Sequence, residues 1–237
     1  MNVRFRHVQD ISRFEVLRSS GPYHWKEESM SITRLALWAL LGFVAATANS
    51  QSAPSSTDLI HDLRRGGYVI VFRHSATTLD PKSMDPMSTK NGSAERQLTD
   101  QGRAQAKTIG ESMRRLNIPV GLVLASTTQR AVDTATLLGL GDVTVTTDLT
   151  ESGPALSADE NDRRAQAFRR LVAGRPPADN NLVIVSHKPN IVDAFGKDWL
   201  DVREGEASVF EPDGDGGFKL VVRIQAGDWS KLAQPSN

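Results

Sequence analysis

Three short apolar runs, each ending in polar residues, constrain the fold of this chain more than any other feature of its sequence. They are YVIVFRH at 68–74, GLVLAS at 121–126 and NLVIVSH at 181–187. Continuous apolar runs of this length are typical of strands that are buried on both faces of a parallel sheet. The polar residues at their ends predict a cleft at one edge of that sheet, because α/β proteins bind ligands beyond the carboxyl ends of their strands.

Helical patterns separate these strands. Gly66 and Gly67 end the first predicted helix, Thr99 caps the second, and Pro189 opens the last. The predicted helices cover 58–65, a segment after Thr99 with apolar residues at 106, 109, 113 and 116, 127–138, 159–173, and a segment from 189. Strands are also expected at 143–146, 207–210 and 218–224. The alternation predicts a three-layer α/β/α sandwich with a mostly parallel central sheet.

The segment DGDGG at 213–217 could suggest a calcium loop. It lacks the spacing and the terminal glutamate of an EF-hand loop, so a hairpin turn between the last two strands is the favoured interpretation. Residues 75–97 form a long polar segment, which predicts a functional or mobile surface loop.

Composition limits the function classes. The chain has 237 residues, 39% hydrophobic and 24% charged, which is typical of one globular domain. Its formal net charge is zero, so no overall basic field favours nucleic acid as a partner. It has no cysteine, which excludes disulfides, thiolate metal sites and cysteine nucleophiles. Its few histidines disfavour a histidine-rich zinc site.

The segment MSITRLALWALLGFVAATANS at 30–50 has the three parts of a secretory signal. Arg34 supplies the positive start, residues 35–46 are uncharged and largely apolar, and Ala46-Thr47-Ala48 is a small-residue cleavage site. A signal peptide at 30–48 predicts a secreted or periplasmic protein. A membrane anchor is the alternative, but the apolar stretch is shorter than the roughly 20 residues that span a bilayer. We expect no stable membrane span after cleavage.

The remaining boundaries follow from that signal. Residues 1–29 precede it and are expected to be an upstream extension that is not translated, with a genuine extension as the alternative. Residues 49–56 are expected to be a flexible leader, and 57–237 a single domain. The sequence leaves the oligomeric state open.

Four side chains near the strand ends can converge on one ligand. Arg73 and His74 follow the first strand, Arg130 lies one helical turn after the second, and His187 follows the third. Two arginines and two histidines at one sheet edge indicate an anion site, and a helix start beside Arg130 suits phosphate. Taken singly, Arg130 could be a surface charge and His187 a core histidine.

Four segments in this order resemble the histidine phosphatase superfamily, also called phosphoglycerate-mutase-like. They are VFRHSAT, LTDQGRAQAKTIG, VLASTTQRAVDTA and VIVSHKPNI, and the resemblance spans about residues 66–225. It implies a phosphoglycerate-mutase-like fold with His74 as the nucleophile. It also implies that Arg73, Arg130 and His187 bind the phosphoryl group. A glutamate in TTDLTES, Glu151, matches the proton donor, with Asp159 and Glu160 as open alternatives.

These roles fit elementary chemistry. Neutral His74 would attack phosphorus and form a phosphohistidine, which water then hydrolyses. The two arginines and a protonated His187 would offset negative charge without a metal or cofactor. The implied protein is a metal-independent phosphatase acting on a small phosphorylated substrate. A phosphohistidine-protein or envelope-sugar phosphatase, and a non-catalytic phosphate-binding module, are the alternatives. Ser75, Asp80 and Lys188 depart from the residues common in the family.

Overall fold

The computed structural model describes residues 6–7, 55–78, 96–151 and 156–234. The predicted signal peptide, most of the leader and most of the loop at 75–97, including Asp80, lie outside the described residues. The boundaries placed at 29, 48 and 56 therefore stay predictions.

Seven strands and six α-helices occur in the described part of the chain. The strands are β1 (Arg6–His7), β2 (Val69–Arg73), β3 (Val120–Ser126), β4 (Val143–Thr146), β5 (Asn181–Ser186), β6 (Ala207–Pro212) and β7 (Phe218–Ile224). The helices are α1 (Ser56–Arg65), α2 (Asp100–Arg115), α3 (Gln129–Leu138), α4 (Ala158–Ala173), α5 (Lys188–Phe195) and α6 (Asp228–Leu232). Short 3₁₀ turns lie at Thr147–Leu149 and Lys197–Trp199.

The strands form one sheet in the order β1-β4-β3-β5-β2-β6-β7. All pairings from β1 to β2 are parallel, whereas β6 pairs antiparallel with both β2 and β7. The carboxyl ends of β3, β5 and β2 therefore lie side by side at one edge. The predicted mostly parallel sheet is confirmed.

Apolar side chains cover both faces of this sheet. Ile70 and Phe72 of β2 belong to one core with residues of α1, α2, α3 and α6. Val69 and Val71 belong to a second core with residues of α4 and α5. Because successive side chains of a strand point to opposite faces, a strand between two helical layers must be apolar throughout. The predicted three-layer α/β/α sandwich is confirmed.

Three helices differ from the sequence predictions, two in the residue at which they begin and one because it was not predicted. Helix α3 begins at Gln129, two residues later than expected, because Thr128 is extended. Helix α4 begins at Ala158, and the Ser157 side chain caps it. Helix α6 was not predicted, although its Trp229 is fully buried and packs against Phe72 with ring centroids 6.1 Å apart.

The turn between β6 and β7 is a hairpin, as expected. Asp213 Oδ1 accepts hydrogen bonds from the backbone N–H groups of Asp215 and Gly217 at 2.9 and 2.8 Å. The backbone N–H of Asp213 donates to the Gly217 carbonyl. The Asp213 carboxylate therefore stabilises the turn through hydrogen bonds to its backbone.

The start of α2 packs tightly against the chain that follows β2. The backbone N–H of Thr99 donates to the Ala76 carbonyl at 3.0 Å, and the Thr99 hydroxyl caps the helix through the Gly102 N–H at 2.9 Å. A Cβ atom on Gly102 would lie 2.0 Å from the Ala76 carbonyl oxygen. Only glycine permits this approach, which fixes the backbone two residues beyond His74.

No helix among the described residues combines the length and the apolar character that crossing a membrane requires.

Candidate active site

The ends of β2 and β5 place two histidines side by side. Arg73 and Ser186 are register partners in the parallel pair, and the His74 N–H donates to the Ser186 carbonyl at 3.0 Å. His187 follows Ser186 directly, so its ring meets that of His74 with centroids 5.3 Å apart. His74 is 3% exposed and His187 is fully buried. The convergence expected for parallel strand ends is present in the structure.

The imidazole of His74 is oriented by the residue that follows it. His74 Nδ1 lies 2.9 Å from the Ser75 carbonyl oxygen. A carbonyl oxygen only accepts hydrogen bonds, so Nδ1 carries the hydrogen and Nε2 carries the lone pair. Burial lowers the pKa of His74 to about 3, and the positive charges of nearby guanidinium groups act in the same direction. His74 is therefore neutral near pH 7, as a nucleophile must be.

Burial disfavours the charged form of His187 as well. Burial lowers the pKa of His187 well below its usual value, and the charge of Arg130 adds to the effect. This direction disfavours the charged ring, and the protonated His187 expected around a bound phosphoryl group stays a prediction. His187 Nε2 lies 2.8 Å from Ser126 Oγ and 3.1 Å from Thr128 Oγ1.

The guanidinium of Arg73 is held from one side by the loop before β6. Its Nη1 donates to the Val202 carbonyl at 2.9 Å, and Nη2 lies 3.4 Å from Glu204 Oε1. Its Nε is buried and has no hydrogen-bond partner among the described residues. Burial lowers the pKa of Arg73, and Glu204 opposes that shift. A group of this kind is ready to bind an incoming anion.

Arg130 and Glu151 form an ion pair at the same edge. Arg130 is the second residue of α3 and is 5% exposed, and its Nη2 contacts Glu151 Oε2. The side chain of Glu151 is 41% exposed. The carboxylate thus lies between the cationic site and solvent, where a proton donor to a departing alcohol would have to lie.

Three side-chain hydrogen bonds hold the backbone that carries Glu151. Asn190 Nδ2 donates to the Thr150 carbonyl at 2.7 Å, and Arg164 Nη1 donates to the carbonyls of Thr150 and Glu151 at 3.2 and 3.4 Å. Asn190 lies on the helix that follows His187, so the two halves of the site are linked.

The alternatives to Glu151 lie in the first turn of α4. Glu160 accepts hydrogen bonds from both Arg163 and Arg164, and these lower the pKa of Glu160 to about 2. Glu160 is thus bound to arginines of its own helix, whereas Glu151 contacts Arg130 at the end of the sheet. Asp159 is exposed in the same turn. The geometry favours Glu151 among the three.

Two further residues at the site escaped sequence reasoning. Arg96 Nη2 donates to the Thr77 hydroxyl and lies 3.5 Å from Glu204 Oε1. Glu204 Oε1 also accepts a hydrogen bond from the Thr77 hydroxyl at 3.0 Å. Arg96 lies just before the LTDQG segment, a position that could have suggested a contribution from the helix start. Glu204 lies in the loop before β6, where no pattern marks it.

The carboxylates of the site are paired with arginines. Within the described ranges, no three histidine, aspartate or glutamate side chains cluster in a way that could hold a metal ion. The arrangement can bind a tetrahedral oxyanion through guanidinium groups and present an imidazole nitrogen to it.

Comparison with known families agrees with the resemblance noted in the sequence. Residues 69–155 match the model of the histidine phosphatase superfamily (branch 1). This segment runs from β2 to the residues just after Glu151, and it therefore contains Arg73, His74 and Arg130. His187 lies outside the matched segment. No curated protein sequence matches this chain.

Several solved structures resemble the chain over about two thirds of its length. The protein histidine phosphatase SixA complexed with tungstate is 17% identical, with a TM-score of 0.49, and the match covers 68% of this chain and 98% of that one. Rv3214 from Mycobacterium tuberculosis is 22% identical, with a TM-score of 0.46, and the match covers 67% of this chain and 97% of that one. Phosphoserine phosphatase from Entamoeba histolytica, in complex with 3-phosphoglyceric acid, is 15% identical, with a TM-score of 0.45, and the match covers 67% of this chain and 96% of that one.

Proposed function

We propose that this protein is a metal-independent phosphatase that hydrolyses phosphomonoesters through a phosphohistidine intermediate on His74. The observation that carries the proposal is the hydrogen bond between His74 Nδ1 and the Ser75 carbonyl. It leaves a neutral Nε2 lone pair in a site that contains the guanidinium groups of Arg73 and Arg130. A nucleophilic nitrogen beside oxyanion-binding cations is what phosphoryl transfer to histidine requires.

In the first step, the Nε2 lone pair of His74 forms a bond to phosphorus while the bond from phosphorus to the ester oxygen breaks. Arg73 and Arg130 offset the charge on the non-bridging oxygens of the phosphoryl group. Glu151, in its protonated form, gives its proton to the departing alkoxide. The alcohol leaves, and the phosphoryl group stays on His74.

In the second step, water attacks the phosphoryl group. The carboxylate of Glu151 takes a proton from that water, the bond between nitrogen and phosphorus breaks, and inorganic phosphate forms. His74 returns to its neutral state with its Nδ1 hydrogen still on the Ser75 carbonyl. Both steps therefore use the same carboxylate, first as an acid and then as a base.

Hydrolysis of p-nitrophenyl phosphate by the purified protein in EDTA tests this proposal. The wild type should be active and His74→Ala inactive. His61→Ala is the matched control, because His61 lies on α1 with a side chain that is 71% exposed and takes no part in the site. Equal activity in the wild type and His74→Ala would reject His74 as the nucleophile. No activity in either protein, together with measurable phosphate binding, would favour a binding module.

We further propose that the protein is exported and acts outside the cytoplasm. The support is the segment at 30–48, with its positive start, apolar centre and small-residue cleavage site. Expression in a bacterial host followed by amino-terminal sequencing of the extracytoplasmic protein tests this. A new terminus at Asn49 is expected, and retention of residues 30–48 in a cytoplasmic product would contradict it.

A further inference from the structure

Two hydroxyl groups converge on one nitrogen of His187. Ser126 is the last residue of β3, and its Oγ lies 2.8 Å from Nε2. Thr128 precedes α3, and its Oγ1 lies 3.1 Å from the same atom. His187 is fully buried, so water does not compete for this nitrogen.

Thr128 makes this contact in place of its usual role. A threonine that precedes a helix normally accepts a hydrogen bond from a backbone N–H of the first turn, and the cap contributes about 1 kcal/mol. At α3 the Thr128 side chain makes no such bond to the described helix. The threonines that precede α2 and the 3₁₀ turn after β4 both make one. The Thr128 hydroxyl therefore faces the histidine although a stabilising alternative is adjacent.

The hydrogen bonds of Ser126 indicate which partner donates. Its Oγ already accepts the backbone N–H of Thr128 at 3.2 Å. If its own hydrogen goes to His187 Nε2 at 2.8 Å, Nε2 accepts it directly; if it goes to Thr128 Oγ1 at 3.3 Å, the Thr128 hydrogen is left for Nε2 at 3.1 Å. In either arrangement Nε2 is the acceptor, and the hydrogen of the neutral ring lies on Nδ1. The opposite tautomer, with a hydrogen on Nε2, would leave one hydroxyl hydrogen without an acceptor among these three groups.

The other ring nitrogen has a complementary property. His187 Nδ1 is buried and has no hydrogen-bond partner among the described residues. A buried polar atom without a partner is costly, and in a native site it calls for an explanation such as a role in binding an ion or a ligand. The ring of His187 lies beside that of His74 and within the field of Arg73 and Arg130. An N–H group there can donate to a phosphoryl oxygen, whereas a bare lone pair would repel it.

We propose that Ser126 and Thr128 hold neutral His187 in the tautomer with its hydrogen on Nδ1, so that His187 binds the phosphoryl group as an uncharged hydrogen-bond donor. The part that concerns the phosphoryl group rests on the function proposed above. Ser126 and Thr128 are positioning residues, which act through His187. The site then needs no proton uptake before substrate binds.

The tautomer can be read directly by ¹⁵N NMR of the histidine side chains in the full-length protein near neutral pH. The His187 signals are assigned by their loss in His187→Gln. The wild type should show a neutral ring with Nδ1 protonated and Nε2 unprotonated. A ring protonated at Nε2 alone, or at both nitrogens, overturns the proposal. This measurement needs no variant of the two hydroxyl residues and no catalytic activity, so it stands apart from the proposed function.

The double variant Ser126→Ala/Thr128→Val tests the role of the hydroxyls. It should lose the Nδ1–H preference and bind inorganic phosphate about tenfold more weakly by calorimetry, the usual effect of losing a hydrogen bond to a charged group. Thr127→Val is the matched control, because the Thr127 hydroxyl contacts Thr150 and not His187. It should keep both properties. An unchanged tautomer in the double variant, or a changed tautomer with unchanged phosphate affinity, contradicts the proposal.

Ser126→Ala alone covers the case in which the double variant does not fold. Alanine removes only the hydroxyl that lies 2.8 Å from Nε2 and leaves the Thr128 hydroxyl in place. This variant should shift the tautomer equilibrium toward Nε2–H and weaken phosphate binding in the same direction. A variant that is indistinguishable from the wild type in both readouts would show that the Ser126 hydroxyl does not orient His187.

Discussion

The imidazole rings of His74 and His187 lie with their centroids 5.3 Å apart, and the pKa of each ring is lowered by burial. Two charged rings at this distance would repel one another and the neighbouring guanidinium groups. Two neutral rings can coexist there; in the mechanism that we propose, His74 offers a lone pair to phosphorus and His187 donates a hydrogen to a phosphoryl oxygen. The cationic charge of the site thus resides on its arginines.

The stability of the protein should fall in acid because of this pair. The imidazole of His74 takes up a proton below about pH 6.5 in the unfolded chain, but only below about pH 3 in the folded protein. Stability is therefore complete above pH 6.5 and decreases by up to about 1.4 kcal/mol per pH unit for each buried histidine below it. Denaturant unfolding at several pH values should show a shallower dependence for His74→Asn. His61→Asn should keep the wild-type slope, and equal slopes in all three proteins would contradict the lowered pKa of His74.

Glu151→Gln should separate chemistry from binding. The amide cannot give or take a proton, so kcat for p-nitrophenyl phosphate should fall by about 10²–10⁴. Inhibition by inorganic phosphate should not weaken, because the carboxylate occupies Arg130 in the free protein. Steady-state kinetics measure both quantities. Glu160→Gln, which changes a carboxylate paired with Arg163 and Arg164, should retain turnover. Unchanged hydrolysis in Glu151→Gln would reject Glu151 as the acid.

Glu204→Gln should tighten phosphate binding. Glu204 lies 3.4 Å from Arg73 and 3.5 Å from Arg96, so its negative charge competes with an incoming anion for both. A partly exposed pair of this type is worth about 0.5–1 kcal/mol, which corresponds to roughly two- to fivefold in the inhibition constant for phosphate. Asp228→Asn provides the control, because Asp228 pairs with Lys231 on α6, which contributes no residue to the site. Weaker phosphate inhibition in Glu204→Gln would show that the carboxylate mainly positions the arginines.

Substitutions of two glycines in α2 can distinguish a loss of activity at the site from a general loss of stability through poor packing. A Cβ on Gly102 would meet the Ala76 carbonyl at 2.0 Å, and a Cβ on Gly110 would meet the Leu138 carbonyl at 1.8 Å. Both Gly→Ala changes should destabilise the protein by about 1–3 kcal/mol through overpacking. Only Gly102→Ala should also lower kcat in the folded protein, because Ala76 follows the proposed nucleophile, His74, by two residues. An equal loss of kcat in Gly110→Ala would contradict this distinction.

Most of the fold could be predicted from local patterns of apolar and polar residues. The strands that end at Arg73, Ser126 and Ser186 lie between two helical layers, so both of their faces are apolar and their limits are marked in the sequence. Helix α6 has only five residues, too few for a period to show, and it depends on one buried tryptophan. Its position is decided by packing against Phe72, which no local pattern reveals.

Some residues of the site could likewise be predicted from the sequence, and others could not. His74, Arg130 and His187 follow strands or open helices, positions at which parallel topology brings side chains together. Glu204 reaches Arg73 across 131 positions of sequence through a loop before an antiparallel strand, a contact that only the tertiary structure defines. The low pKa of His187 follows from burial, which only the tertiary structure shows and no motif contains.

The central claim is that His74 carries the phosphoryl group during turnover. The most direct measurement is mass spectrometry of the protein after it has been mixed with p-nitrophenyl phosphate and quenched in base, which preserves phosphohistidine. In the wild type, we expect one phosphoryl group on the peptide that contains His74. In Glu151→Gln, the phosphorylated fraction should be larger if hydrolysis of the intermediate is slowed more than its formation. In His74→Ala, we expect no phosphoryl group on this peptide. Turnover without a phosphorylated enzyme, or a phosphoryl group on another residue, would contradict the account.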